Sequence, residues 1–253
     1  MSDLLAHADL LRELHFGKLL VLPNAWDPAS AELVAELGFP VVATSSAAVA
    51  EVLGHEDGEQ APWQEMFAAV ARISAAVSVP VTVDAEAGYG LPPDEFVSRL
   101  LEAGASGCNL EDTDHRAGGL VDAAAQADRL AGVRAAADAA GVPIVLNARI
   151  DVFLPSSGIP SEDRLDEAIR RARLYRDAGV DCVYPIGGST EHNLRRLIDE
   201  VPGPANGNTT DSLDLAALKA LGVARVSYGP RFYRGGSAGF RGALELLRTE
   251  MER

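Results

Sequence analysis

Positive charge is scarce in this chain: 22 lysines and arginines face 37 aspartates and glutamates, a formal net charge of −15. A surface of that sign repels phosphate backbones, so nucleic acid is not an expected partner. An anionic metabolite remains admissible, because a bound divalent cation reverses the local potential. Lysine occurs only at Lys18, ahead of the first predicted strand, and at Lys219, in a late predicted helix. Neither is placed for Schiff-base chemistry, which argues against a lysine-dependent aldolase. The two cysteines, Cys108 and Cys182, exclude a disulfide framework and fit no zinc spacing. The histidines form no metal spacing either: His7 and His15 precede the first strand, while His55 and His115 fall in strand-to-helix loops. A G-x-S-x-G nucleophile elbow and a P-loop are both missing. Apolar runs such as Phe39–Ala50 are too short or too polar to span a bilayer. Met1–Leu14 lacks the basic-then-apolar build of a signal peptide, and the expected location is the cytoplasm.

What the chain does contain is alternation. After an amphipathic lead-in helix at about residues 3–15, short apolar runs alternate with helical patterns. The predicted strands are Leu19–Asn24, Val41–Ser46, Val79–Glu86, Gly107–Asp112, Pro143–Asp151, Cys182–Ile186, Gly203–Asn208 and Ala224–Tyr228. Glycines at 38, 104, 141, 179 and 222 stop the helices just before the next strand, as short αβ loops require. Eight βα units in 253 residues predict one α/β domain over residues 1–253, a closed (β/α)8 TIM barrel. An open doubly wound sheet would carry a Gly-rich turn after its first strand, and Pro23–Asp27 has no glycine. The last helix is expected from about Phe240, with Gly235–Gly239 before it as a flexible link or, less simply, a phosphate cradle. Two long loops, Glu111–Val121 and Val152–Asp163, leave C-terminal strand ends, where barrel active sites sit, and are lid candidates or plain surface insertions.

Residues two apart in a strand share a face. That puts Thr82, Asp84 and Glu86 together, then Asn109 with Glu111, then Asn147, Arg149 and Asp151, all opposite apolar residues that pack outward. Three carboxylates converging in a barrel mouth repel one another unless a cation intervenes, and carboxylates with waters are what Mg²⁺ prefers. Arg149 offers a fork that fits a substrate carboxylate. A structural ion-pair network is the bland alternative. Asp57 is either a further acidic group for the site or a solvated loop carboxylate. Asn206 and Asn208 either orient a substrate or form turns beside Gly207. Ser45 and Ser46 either hold an oxyanion or cap a helix.

The stretch Val83–Gly90 (VDAEAGYG) resembles the D-x-D-x-G-[YF]-G motif of the isocitrate lyase/phosphoenolpyruvate mutase superfamily. Asn109–Asp112 (NLED) and Asn147–Asp151 (NARID) are similar to the two strand ends that follow it there, and Leu22–Asp27 and Ala43–Ser46 fit as well. The resemblance implies Asp84 as direct Mg²⁺ ligand (Mn²⁺ as the alternative), with Glu86, Glu111 and Asp57 holding metal-bound waters. It implies Arg149 on the substrate carboxylate or phosphonate, and the backbone at Ser45, Ser46 and Ala47 gripping a 2-oxo acid. It further implies a last helix exchanged between subunits of a dimer of dimers. Departures narrow the activity. The K-[KR]-C-G-H loop of the isocitrate and methylisocitrate lyases is replaced by Glu111–Val121, without cysteine or lysine, and the mutase lysine and asparagine are missing too. Glu86 stands where Asp is usual, and Ser46 and Ala47 replace a glycine-containing turn.

The expected activity is metal-assisted C–C cleavage of a small oxaloacetate-like or substituted-malate acid through an enolate. Arg149, Asp57, Glu111 and His115 are the candidate catalytic groups, and a proton is to come from Asp114 or His115 on the loop. Asn206 joins the expected substrate contacts. P–C bond chemistry on phosphonopyruvate or phosphoenolpyruvate is the alternative, and a non-catalytic metabolite-binding barrel the third.

Overall fold

The parallel strands register in sequence order. In the computed structural model, which describes residues 2–253, β1 (Leu20–Leu22) and β2 (Asn24–Ala25) form one stave interrupted at Pro23, which has no N–H for the ladder. Then follow β3 (Val42–Thr44), β4 (Val81–Asp84), β5 (Gly107–Glu111), β6 (Val145–Ile150), β7 (Cys182–Pro185), β8 (Asn206–Gly207) and β9 (Arg225–Ser227). One ladder runs from β2 to β7 and a second joins β8, β9 and β1. A parallel bridge between Val183 and Ala205 links the two, so eight staves close into the expected barrel.

Around the staves stand α2 (Pro28–Glu36), α3 (Ser46–Leu53), α4 (Trp63–Ala75), α5 (Pro93–Glu102), α6 (Ala123–Ala139), α7 (Arg164–Asp177), α8 (Glu191–Glu200) and α9 (Leu215–Ala220). Their starts follow local chemistry. Asp27 accepts from the Ser30 amide at 2.7 Å, with Pro28 in the first turn, and Thr190 and Asp214 cap α8 and α9 in the same way. The outward strand residues Cys108, Leu110, Leu146, Ala148 and Ile150 are wholly buried under these helices.

The lead-in helix α1 (Ser2–Glu13) closes the N-terminal end of the barrel. Leu11 is fully buried, and a Cβ on Gly107 would stand 2.8 Å from its Cδ2, so only glycine lets this helix approach. Arg12 adds a 2.8 Å ion pair to Asp181.

The barrel interior is polar rather than layered with aliphatic side chains. Asn147 donates to Asn109 at 2.8 Å and to Asn206 at 3.3 Å, and Arg225 donates to Asn109 at 3.1 Å. Arg225 is 1% exposed, its Nε and Nη1 have no hydrogen-bond partner, and burial holds its pKa below the usual arginine range.

Two expectations are corrected. α3 begins inside the predicted strand Val41–Ser46, with Ser45 as its N-cap, one of the two roles expected of it, and stops at Gly54, whose φ is 87°. The last helix, α10 (Arg231–Met251), begins nine residues before Phe240 and takes in Gly235–Gly239. That run is therefore neither a link nor a phosphate cradle, because its amides lie inside a helix. No residue of α10 is buried, although each glycine in its interior costs about 1 kcal/mol relative to alanine. It carries Phe240, Leu244, Leu247 and Met251 exposed.

Candidate active site at the C-terminal barrel mouth

Asp84 ends β4, Glu111 ends β5 and Arg149 lies near the end of β6, and the register pairs Glu111 directly with Arg149. Their side chains meet. Arg149 Nη1 stands 2.5 Å from Glu111 Oε2 and 4.0 Å from Asp84 Oδ1. The first is a close ion pair without the alignment of a hydrogen bond, so Glu111 Oε2 and Asp84 Oδ1 are both buried carboxylate oxygens lacking a hydrogen-bond partner. Unfilled lone pairs in a buried site are expensive, and they point to a ligand that fills them.

The other oxygens are spoken for. Asp84 Oδ2 accepts from the Ser46 hydroxyl at 2.9 Å and from the Ser46 amide at 3.3 Å, and the Asp84 amide donates to Thr44 Oγ1 at 3.0 Å. Glu111 Oε1 is 2.6 Å from His115 Nε2. Burial, only partly offset by Arg149 and His115, pushes the Glu111 carboxyl up to about 7. The hydrogen bond to Glu111 in turn raises the His115 pKa. This pair can therefore hold and hand over a proton near neutral pH. Glu86 lies just beyond β4 and is 2% exposed; burial raises its pKa, and its Oε1 accepts from Tyr89 Oη at 2.8 Å.

Arg149 is placed by a chain of buried charges that runs back to α7. Its Nε and Nη2 donate to Asp151 at 2.7 and 2.9 Å, so the fork expected to meet substrate is closed on Asp151. Thr113 Oγ1 donates to Asp151 at 2.6 Å, and the Asp151 amide donates to Asp112 Oδ1 at 2.9 Å. Asp112 is wholly buried and accepts from Arg171 Nη1 at 3.0 Å and Tyr175 Oη at 2.7 Å. What remains for a ligand is the positive charge of Arg149 and the N–H bonds not used by Asp151.

Other expected site residues are distributed as follows. Ser45 caps α3, accepting from the Ala48 amide at 3.5 Å, and Ser46 serves Asp84; Ala47 stands half-buried in the first turn of α3. Asn206 is fully buried in the barrel interior, its amide bonded to Ser227 Oγ at 3.3 Å, so it supports the wall below the site. Asp57 is exposed, and its charge helps raise the Glu86 pKa. Asp114 caps the loop turn, accepting from the Arg116 and Ala117 amides at 2.9 and 2.8 Å; those amides lower its pKa, which takes it out of contention as an acid. The loop folds back on itself through an antiparallel bridge between Thr113 and Leu120.

Tyr89 and Asp112 belong to this constellation too; both lie inside the quoted VDAEAGYG and NLED motifs but were given no role from sequence. Glu59, Arg171 and Arg225 were not picked out at all, and of these three Arg171 alone carried a signal, its i,i+4 spacing from Glu167, which also describes ordinary surface pairs.

Among the described residues no three His, Cys, Asp or Glu side chains form a ready metal cluster. The donors present still fit Mg²⁺, which takes one or two carboxylates and keeps several waters. Asp84 Oδ1 supplies a free, hard, buried oxygen, while Glu111, whose Oε2 is paired with Arg149 at 2.5 Å, stands beside it where a metal-bound water could be held.

A model of the family described as phosphoenolpyruvate phosphomutase matches residues 11–248. A solved Burkholderia cenocepacia structure, provisionally described as a phosphonomutase, superposes with a TM-score of 0.89 at 38% identity, covering 96% of this chain and 99% of that one. An oxaloacetate decarboxylase of Rhodopseudomonas palustris is 32% identical over 194 residues, 74% of this chain and 65% of that protein. The 2,3-dimethylmalate lyase of Eubacterium barkeri is 29% identical over 224 residues, 83% of this chain and 75% of that protein. The chain belongs to the isocitrate lyase/phosphoenolpyruvate mutase superfamily.

Proposed function

We propose that this protein is a Mg²⁺-dependent lyase or hydrolase that cleaves a C–C bond in a small 2-oxo or 2-hydroxy dicarboxylic acid, oxaloacetate-like or a substituted malate. The observation that carries this reading is Asp84 Oδ1, a buried carboxylate oxygen without a hydrogen-bond partner, beside the Arg149–Glu111 ion pair at the mouth of a barrel of this superfamily. The similarity to an oxaloacetate decarboxylase and a dimethylmalate lyase supports the substrate class.

Asp84 would hold the metal directly, with Glu86, Glu111 and the loop carboxylate Asp57 reaching it through waters. Bound there, Mg²⁺ supplies Lewis-acid polarisation of the substrate oxo and carboxylate oxygens. Arg149 stabilises the negative charge that builds up as an enolate when the C–C bond breaks. The first turn of α3, at Ser45, Ser46 and Ala47, orients the 2-oxo acid end. Glu111 and His115 hold a proton between them at 2.6 Å, and His115 delivers it to the enolate carbon from the covering loop. The loop over residues 113–120, closed on itself at Thr113 and Leu120, would keep bulk water from that carbanion equivalent.

The test is ¹H NMR of the protein with oxaloacetate and Mg²⁺ beside an EDTA control. Metal-dependent formation of pyruvate, or of acetate with oxalate, supports the reading and identifies the bond cleaved. Absence of turnover above the control, with ³¹P-detected turnover of phosphonopyruvate instead, replaces it with P–C chemistry; the similarity to the Burkholderia cenocepacia structure favours that second reading. We also infer that the bare apolar face of α10, with Phe240, Leu244, Leu247 and Met251, is covered by another copy of the chain. A monomer mass at micromolar concentration in light scattering would refute that assembly.

A further inference from the structure

Three non-glycine residues among those described adopt a left-handed backbone: Glu59 with φ of 58°, Glu86 with 49° and Tyr89 with 57°. Such residues persist only where their surroundings over-determine them, and they gather at functional sites. Here all three are bonded to one another. The Glu59 amide donates to Glu86 Oε2, Tyr89 Oη donates to Glu86 Oε1 at 2.8 Å, and the Tyr89 amide donates to Glu59 Oε1. The circuit joins two loops that arise from different strand ends, residues 55–62 after α3 and residues 85–92 after β4. Aromatic edges continue it into α4 and α5, since Phe67 meets Tyr89 at 6.1 Å and Phe96 at 6.2 Å.

We propose that Glu59 is a positioning residue that fixes the Glu86 carboxylate in the site by tying these two loops together. Its carboxylate holds the Tyr89 amide, which sets the backbone from which the Tyr89 hydroxyl reaches Glu86. That anchoring in turn holds the Glu59 backbone where its own N–H meets the other Glu86 oxygen. Both oxygens of Glu86 are thereby oriented, one by the Glu59 N–H and the other by the Tyr89 hydroxyl. The inference rests on the proposed metal role of Glu86, and its test separates the two.

Mn²⁺ serves as the probe, with affinity read from the electron paramagnetic resonance of free Mn²⁺ and loop order from hydrogen exchange over residues 85–92. Glu59→Gln keeps an acceptor for the Tyr89 amide and is expected to bind Mn²⁺ as the unaltered protein does. Glu59→Gly suits a φ of 58° and preserves the backbone N–H, but lacks the acceptor. It is expected to bind Mn²⁺ about tenfold more weakly or worse, as losses in the support of a metal site do, with faster exchange in the 85–92 segment. Unchanged affinity in Glu59→Gly overturns the inference, and so does an equal loss in Glu59→Gln, which would make the charge rather than the tie the active feature. If the unaltered protein binds no Mn²⁺, the metal reading falls and this inference with it.

Discussion

Replacing Arg171 with methionine tests whether the buried charges behind Arg149 act as a unit. Arg171 lies on α7 with its side chain 6% exposed, and it bonds Asp112, which is wholly buried, at 3.0 Å and Glu167 at 2.7 Å. Methionine fills much of the volume but leaves Asp112 with only Tyr175 Oη and the Asp151 amide. Breaking a buried pair by removing one partner costs about 3–5 kcal/mol, because the other charge is stranded. For a domain of this size each kcal/mol lowers Tm by about 2–4 °C, so the variant should melt about 10 °C lower at pH 7. The loss should shrink at pH 5, since burial already raises the Asp112 pKa and protonation removes the stranded charge. Arg170→Met is the internal control. Arg170 also pairs with Glu167, at 2.7 Å, but it is 54% exposed, and a solvated pair is worth under about 1 kcal/mol. Calorimetry on both variants decides. Equal Tm shifts for Arg170→Met and Arg171→Met, or an Arg171 shift that does not depend on pH, refute the reasoning.

The His15 imidazole is buried, Nδ1 lies 2.7 Å from the Leu11 carbonyl, and burial lowers its pKa from 6.5 to about 4. The unfolded chain therefore takes up a proton below pH 6.5 that the folded one refuses, so this contribution to stability is intact above pH 6.5 and falls by about 3 kcal/mol on going to pH 4. Urea titrations of His15→Met should lack that slope, and an unaltered difference between the two proteins at pH 7 and pH 5 would count against it. Arg149→Lys keeps the charge but not the planar fork to Asp151, and turnover of the substrate found by NMR should drop about 100-fold; near-normal kcat would remove Arg149 from the chemistry. Asp84→Asn should abolish Mn²⁺ binding without lowering Tm, since it relieves repulsion among Asp84, Glu86 and Glu111. Retained binding in that variant would place the metal elsewhere.

Much of this molecule can be read from sequence because its determinants are local. Strand periodicity assigns Thr82, Asp84, Asn109, Glu111, Asn147 and Arg149 to the inner face, since successive side chains in a strand must alternate. Glycines 38, 104, 141, 179 and 222 take the positive φ that ends a helix, and no neighbour outside the turn is needed for that. The tertiary structure decides what these inward groups do to one another. Arg149 could equally have met a ligand or a neighbour, and only the path of the chain after β6 brings Asp151 back onto its fork. Its place at the end of a predicted strand made Asn206 a substrate candidate, yet closure of the barrel buries it against Asn147 and Ser227. The run at Gly235–Gly239 reads as a helix breaker by intrinsic propensity but lies within α10, because propensity is only a weak preference. Glu59, with no motif around it, gains its place only when two loops distant in the chain close on Glu86, and that contact is set by how the strands pack around the barrel.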